Sequence, residues 1–105
     1  MRDKLKDIED KYLYVALTTH EYKKNIVVSK LVVDILHRNE GIGTRVMNDI
    51  IKYANDHNKN ILLTPSAEYG GSLRKLKKWY SKLGFKKNKK VKTIEQLIKT
   101  PNKVQ

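Results

Sequence analysis

Runs of apolar residues divide the chain into predicted strands and helices. Residues 12–20, YLYVALTTH, and the apolar run 26–36 are rich in β-branched and aromatic side chains, which predicts two strands. The polar link 21–25 between them indicates an antiparallel hairpin. From Ile42 to Ala54 the apolar positions recur every four residues, which predicts an amphipathic helix lying on a sheet.

The second half of the chain predicts a further strand and helix. The segment 61–64, ILLT, is a buried strand that ends at Pro65, because the proline ring ends regular pairing. Ser72 is a candidate N-cap for a second helix, and Gly84 is its candidate C-cap. The apolar face of this helix carries Leu73, Leu76, Leu83 and either Trp79 or Tyr80.

The order of these elements predicts the fold class. Residues 95–100 predict a last edge strand, while residues 1–11 fit either a short helix or a frayed end. The order β-β-α-β-α, with a possible final strand, predicts an α/β fold: a mixed, mostly antiparallel sheet with two helices packed on it. At 105 residues we expect one compact domain, 1–105.

Composition restricts the chemistry and the location. The chain has no cysteine, which excludes disulfides, thiolate nucleophiles and cysteine-bound zinc, and we expect no metal. It has no apolar run long enough to span a membrane and no signal-like N-terminus, so we expect a cytoplasmic protein without a membrane partner.

The net charge of +12 favours acidic or phosphate-bearing partners. Ten basic residues lie in the segment 74–92, which we call the basic segment. This segment either binds an acidic or nucleic-acid partner or only keeps the surface soluble. The chain is also rich in lysine, asparagine and isoleucine together, which is the bias of an AT-rich genome.

The loop between the second strand and the first predicted helix is a candidate anion site. A strand, a turn with Gly41 and Gly43, and a helix N-terminus together direct several backbone N–H groups to one side, at the positive end of the helix dipole. Two common phosphate loops are excluded, because there is no G-x-x-x-x-G-K-[ST] sequence and Val46 stands where a dinucleotide loop has its third glycine.

Two separated motifs resemble the GNAT acyltransferases. Arg38-x-x-Gly41-x-Gly43 after a strand is similar to that family's R/Q-x-x-G-x-G/A signature. Residues 76–85, LKKWYSKLGF, resemble its lYeklGF helix end. The resemblance covers about residues 12–88 and implies an acetyl-CoA-dependent N-acetyltransferase with a truncated GNAT fold.

By this resemblance, the cofactor acetyl-CoA would lay its pyrophosphate on backbone N–H groups of residues 39–44. Its pantetheine arm would pair with backbone near residues 31–35, and the strand 61–64 would diverge to make room. Arg38 and Arg45 either add charge to this site or are ordinary surface arginines, and the Glu40 side chain must point to solvent. The implied cofactor residues are Leu31, Val33, Ile35, Arg38, Asn39, Glu40, Gly41, Ile42, Gly43, Thr44 and Ser72.

The resemblance also assigns candidate catalytic residues. Tyr80 occupies the position of the general acid that protonates the departing CoA thiolate; the alternative is a tyrosine that only packs in the core. Asp34 is a candidate base, because burial in an apolar strand would raise the pKa of its carboxyl group. Glu68, His20 and His37 are alternatives, and an ordered water is another.

Two departures from the family pattern shape the expected acceptor. Leu73 replaces the family's usual asparagine, so Ser72 is the candidate for that cofactor contact. Eleven residues before the hairpin leave no room for the family's usual first strand and two helices, which resembles compact phage-type members. An open acceptor side suits a protein amine or other macromolecule, or completion by a second subunit in a homodimer. A nucleic-acid-binding module or a catalytically silent CoA-binding protein is the alternative.

Overall fold

The computed structural model describes residues 4–37, 40–65 and 73–101, without the side chains of Lys4 and Ile35. It is an α/β fold, as predicted, with three helices in place of two. Residues left open at the N-terminus form the additional helix. The elements are α1 (Lys4–Lys11), β1 (Val15–Tyr22), β2 (Asn25–Val33), a 3-10 turn (Ile35–His37), α2 (Ile42–Asp56), β3 (Asn60–Leu63), α3 (Leu73–Leu83), β4 (Lys86–Lys87) and β5 (Leu97–Lys99).

The five strands form one mixed sheet in the order β1-β2-β3-β5-β4. The β2–β3 pair is parallel, and the other three pairs are antiparallel. The prediction that the last strand lies at the edge is wrong, because β4 pairs with its outer side. Two adjacent lysines carry no strand-like alternation, so the sequence pattern did not reveal β4.

The two strands of the hairpin extend closer to its turn than the sequence pattern indicated. Tyr22 pairs with Asn25, which leaves only Lys23 and Lys24 in the turn. Lys23 has φ 53°, the left-handed geometry that two-residue hairpin turns require at this position. The predicted first strand ended at His20 and its polar link began at Glu21, and both boundaries are therefore wrong.

The helices share one face of the sheet. The crossovers from β2 through α2 to β3 and from β3 through α3 to β4 run in the same direction across the sheet, and right-handed crossovers then place both helices on one side. Residues of all three helices pack into one hydrophobic cluster with β1, β2 and β3. On the opposite face, Ala16, Thr18 and His20 of β1 are exposed.

Polar contacts fix α1 against the rest of the core. The Tyr12 hydroxyl and the Lys11 ammonium both donate to the Asp49 carboxylate of α2. Burial alone would raise the pKa of Asp49, but these two hydrogen bonds, together with the positive charges of Lys11 and Lys52, lower the pKa below its usual value. Glu9 accepts hydrogen bonds from the backbone N–H and hydroxyl of Thr19, at 2.9 and 2.8 Å, and so joins α1 to β1.

Candidate functional site

A β-bulge in β2 determines which side chains face the helices. Thr18 pairs with Lys30 and Thr19 pairs with Val28, so Ser29 is an extra residue in β2. The extra residue shifts the alternation, and Leu31 packs against the helix-side core. The sequence analysis missed this bulge; the adjacent polar pair Ser29 and Lys30, which interrupts the apolar run, was the available signal.

The pairing between β2 and β3 stops beside this bulge, where β3 ends at Leu63. Their pairing covers residues 25–28 and 60–63 only, while β2 continues to Val33. On the β3 side, no strand among the described residues pairs with residues 29–32. This part of β2 therefore offers a backbone edge to an extended ligand. β3 pairs with β2 over its whole length, so the prediction that the third strand turns away from the second stays a prediction.

Of the three residues predicted to offer backbone to a pantetheine arm, two lie on β2. Leu31 and Val33 belong to the strand, and each pairs with β1 on its other side. The prediction that the strand continues to Leu36 is wrong. Ile35 lies in the 3-10 turn beyond the strand end, so its backbone does not continue the β2 edge.

Asp34 stabilises this turn and is exposed, so the prediction of a buried acid is wrong. Its Oδ1 accepts a hydrogen bond from the Leu36 N–H at 3.0 Å. Its backbone N–H donates to the Tyr14 carbonyl at 2.7 Å, and its carbonyl accepts from the His37 N–H at 2.8 Å. These bonds reverse the chain directly after β2, which places the carboxylate in solvent and removes the burial on which its assignment as a base depended.

His37 and Glu40 lie on the outer side of the same turn. The His37 ring stacks on Tyr14 with a centroid distance of 3.5 Å. Its Nδ1 lies 3.4 Å from Oε2 of Glu40, whose side chain is exposed. The Glu40 carboxylate therefore faces His37 at the protein surface. This agrees with the prediction that the Glu40 side chain points to solvent.

The start of α2 provides backbone donors for an anion. Gly41 precedes the helix with φ 79° and ψ 8°, a left-handed conformation that glycine adopts without a steric penalty. Within the described residues no side chain caps this end, and the Arg45 N–H donates to the Gly41 carbonyl at 3.1 Å as the first helical bond. In this geometry the N–H groups of Ile42, Gly43 and Thr44 have no acceptor within the helix.

Trp79 of α3 borders this helix start. Its Nε1 donates to the Thr44 hydroxyl at 3.2 Å. A Cβ atom at Gly43 would lie 3.6 Å from the Trp79 ring and 3.7 Å from Val33. The end of β2, the start of α2 and the middle of α3 therefore meet at one place. The sequence predicted that either Trp79 or Tyr80 lies on the apolar face of this helix. In the structure Tyr80 is buried, and Trp79 is half-buried and contacts α2.

Tyr80 is buried next to this meeting point. Only 5% of it is exposed, and its ring packs edge-to-face against Phe85 at 5.5 Å. Burial raises its pKa to about 12, so the phenol keeps its proton at neutral pH. Within the described ranges its hydroxyl has no hydrogen-bond partner, and no fully buried side-chain N or O atom lacks one.

Several predicted site residues are outside the described residues. Arg38, Asn39, Glu68 and Ser72 are among them, and their predicted roles stay predictions. His20 is exposed on the sheet face opposite to the helices. Arg45 is exposed in the first turn of α2.

The basic segment is solvent-exposed. Its side chains lie on α3, on β4 and in the connection that leads to β5. Lys75 interacts with another group of the protein. The other basic residues of the segment form no ion pair within the part of the chain that the structure describes. Those nine are Arg74, Lys77, Lys78, Lys82, Lys86, Lys87, Lys89, Lys90 and Lys92.

Comparison with known families identifies the fold. The acetyltransferase (GNAT) domain profile matches residues 6–87. The chain belongs to the GNAT acetyltransferase family. This family assignment and acetyltransferase relatives among solved structures support an acyltransferase. No curated protein sequence matches the chain. Across the described helices, none combines the length and the apolar character needed to cross a membrane.

Solved structures with a similar fold differ strongly in sequence. The anti-CRISPR protein AcrVA5 is 13% identical with a TM-score of 0.62, over 80% of this chain and 87% of that one. A GNAT acetyltransferase from Staphylococcus aureus Mu50 is 16% identical with a TM-score of 0.64, over 89% of this chain. Arabidopsis thaliana Naa50, in complex with the bisubstrate analogue CoA-Ac-MVNAL, is 18% identical with a TM-score of 0.58, over 82% of this chain. The chain spans 63% of each of the latter two proteins.

Proposed function

We propose that this chain transfers an acetyl group from acetyl-CoA to an amine of a protein or another macromolecule. The observation that carries the proposal is the part of β2 beyond its pairing with β3, which lies beside the glycine-containing start of α2. A strand edge and a helix N-terminus at one place suit a ligand with an extended amide arm joined to a pyrophosphate.

The cofactor would use backbone groups more than side chains. The pyrophosphate would accept hydrogen bonds from the N–H groups at the start of α2, where Gly41 has no side chain. The pantetheine amides would pair with the edge of β2 near Leu31 and Val33. Arg38, Asn39 and Ser72 remain proposed contacts, and Arg45 is close enough along the helix to add positive charge.

Tyr80 is the proposed proton donor to the CoA thiolate. A phenol with a pKa of about 12 is protonated at neutral pH and therefore able to donate. A lysine acceptor has a pKa of about 10.4 and must first lose a proton, so a base or an ordered water has to receive it. Asp34 is exposed and occupied as the acceptor of the Leu36 N–H, which favours water over this carboxylate.

A macromolecular acceptor is favoured by the shape of the described part of the chain. All three helices lie on one face of the sheet, and exposed residues of β1 lie on the other. Naa50, which shares the fold, is solved with an analogue that joins CoA to the peptide sequence MVNAL. We therefore propose a protein amine as the acceptor, reached from the face of the sheet on which these β1 residues are exposed. The single core cluster supports the proposal that residues 1–105 act as one domain.

A direct test is acetylation of protein and peptide mixtures by the purified chain, followed by mass spectrometry. We expect a mass increase of one acetyl group on amines when acetyl-CoA is present. Tyr80→Phe should lower the rate by about 10²-fold or more, while Tyr22→Phe at the exposed hairpin tip should not. Absence of acetylated products across peptide, protein and small-amine acceptors would refute the proposal; faster turnover of polyamines would instead redirect it to small amines.

Nucleic-acid binding is a second candidate, favoured by the exposed basic segment. Its exposed lysines lie on α3, on β4 and in the connection that leads to β5. Trp79 and Tyr80 do not add base-stacking platforms, because Tyr80 is buried and Trp79 contacts α2. Steeply salt-dependent binding of DNA or RNA without acetyl-CoA binding would support this function in place of acetyl transfer.

A narrower version of the enzyme proposal is an inhibitor of host defence that acetylates a host protein. The anti-CRISPR protein AcrVA5 has a similar fold, and the structural match with this chain extends over 87% of its length. At 13% identity this likeness establishes the fold alone. Acetylation of a defence protein by this chain in a reconstituted mixture, with loss of that protein's activity, is the result that this version requires.

A further inference from the structure

A second pocket lies at the end of the sheet where β3 begins. It has a volume of about 320 Å³ and lies between the end of α3, β4 and β5. Lys99 pairs with Ile61 near the start of β3, whereas the pairing of β2 with β3 stops at Leu63 at the other end. The pocket is lined by Lys82, Leu83, Gly84, Lys86, Lys99 and Thr100.

Lys99 is the unusual member of this lining. Only 7% of it is exposed, and it is the one buried charged residue found among the described residues. Its Nζ donates to the Thr100 carbonyl at 3.5 Å, the long end of the hydrogen-bond range, and forms no ion pair within the described ranges. Burial lowers its pKa. A buried ammonium with one weak partner lacks the compensation that burial of a charge requires.

The backbone is adapted to this lysine. Gly84 ends α3 with φ 105°, and a Cβ atom there would lie 3.2 Å from Cε of Lys99. A side chain at position 84 would therefore press on the lysine stem. The glycine satisfies both the left-handed helix end and the space that Lys99 needs.

Charge and size indicate what the pocket accepts. Lys82, Lys86 and Lys99 come from three different elements, and no acidic residue among those that the structure describes lines the pocket. The volume is roughly ten times the share of one water in the liquid, so a tetrahedral oxyanion with an attached group fits. Lysine ammonium groups bind phosphate as point charges.

We infer that this pocket binds a phosphate group, with the Lys99 ammonium as its inner donor and Lys82 and Lys86 at its rim. The phosphate belongs either to a free phosphate or monoester or to a nucleic-acid diester. The site does not depend on the proposed acetyl transfer, because it lies at the opposite end of β3 from the unpaired part of β2.

The test is a titration of the full chain with inorganic phosphate, and separately with a short single-stranded oligonucleotide, at constant ionic strength. The Lys99 side-chain signals are followed by NMR and assigned from their absence in Lys99→Met. Calorimetry measures the affinity of the wild type, of Lys99→Met and of Lys89→Met. Lys89 is an exposed lysine of the basic segment outside the pocket, and it controls for the loss of one positive charge.

We expect a saturable shift of the Lys99 signals and at least about a tenfold loss of affinity in Lys99→Met, with less than about a twofold loss in Lys89→Met. A shift with inorganic phosphate identifies a free phosphate or monoester, and a shift with the oligonucleotide alone identifies a diester. Unchanged Lys99 signals with both probes would overturn the inference, as would an equal loss of affinity in the two variants.

Discussion

The two glycines at the start of α2 allow a matched pair of substitutions with opposite expected effects. Gly41 has φ 79°, and no atom of the described residues lies within 4 Å of the position that a Cβ would occupy. The added methyl group of Gly41→Ala therefore neither clashes with nor packs against a neighbour. The substitution destabilises the fold only through the strain of an alanine in a left-handed backbone conformation. That strain is about 1–2 kcal/mol.

Gly43 lies within the helix, and its substitution should act in the other direction. A Cβ there would contact Trp79 and Val33 at 3.6 and 3.7 Å, which are ordinary van der Waals distances. Gly43→Ala should therefore gain about 0.5 kcal/mol, the lower part of the helix-propensity difference between the two residues. The two variants should differ in unfolding free energy by about 2 kcal/mol.

Urea denaturation followed by circular dichroism measures both free energies. We expect a lower midpoint for Gly41→Ala, a slightly higher midpoint for Gly43→Ala, and unchanged slopes. A Gly41→Ala variant as stable as the wild type would refute the left-handed conformation at the helix start. A Gly43→Ala variant less stable than Gly41→Ala would refute the arrangement of Trp79 and Val33 around α2.

Three further predictions concern titratable side chains. Burial raises the pKa of Tyr80 to about 12, so folding stability should fall by about 2–3 kcal/mol between pH 10 and 12, and Tyr80→Phe should lack this part of the decrease in alkaline denaturation curves. The lowered pKa of Asp49 contributes stability above about pH 4 that is lost at lower pH; Asp49→Asn should cost about 1–2 kcal/mol at neutral pH and less in acid, while exposed Asp56→Asn should cost little at either pH. Asp34→Asn keeps the oxygen that accepts the Leu36 N–H and should retain acetylation activity; a loss of about 10²-fold would restore the carboxylate as a base.

The parts of the fold that depend on a regular pattern were predictable. The four-residue spacing from Ile42 predicted α2, and its buried residues Val46, Ile50 and Ala54 follow that spacing. Gly84 predicted the end of α3, and its φ of 105° confirms that role. In both cases a local rule and the tertiary packing favour the same conformation.

The missed features depend on contacts between distant segments. β4 is a strand because it pairs with β5, and its two lysines carry no strand signal of their own. Asp34 was expected inside a strand because its neighbours are apolar, but its side chain stabilises the turn that ends β2. Tyr12 was expected in β1, and its hydrogen bond to Asp49 places it in the link that follows α1. Such pairings join positions far apart in sequence, so no window of the chain contains them.

In the candidate site, too, the features with a local sequence pattern were predicted and those that depend on distant segments were not. The glycine loop and Tyr80 were found from their motifs, and the structure brings their neighbourhoods together through Trp79. The bulge at Ser29 and the contact between Trp79 and Thr44 were not predicted, because each depends on the register of a partner element. The roles of these residues in binding and catalysis stay predictions.

Calorimetric titration with acetyl-CoA tests the central claim most directly. It compares the wild type with Gly41→Glu, which places a carboxylate at the proposed pyrophosphate site, and with Asn48→Glu, which adds the same charge at an exposed position of α2. The proposal predicts saturable binding by the wild type and Asn48→Glu, and binding abolished in Gly41→Glu. No binding by the wild type, or equal binding by all three proteins, would contradict it.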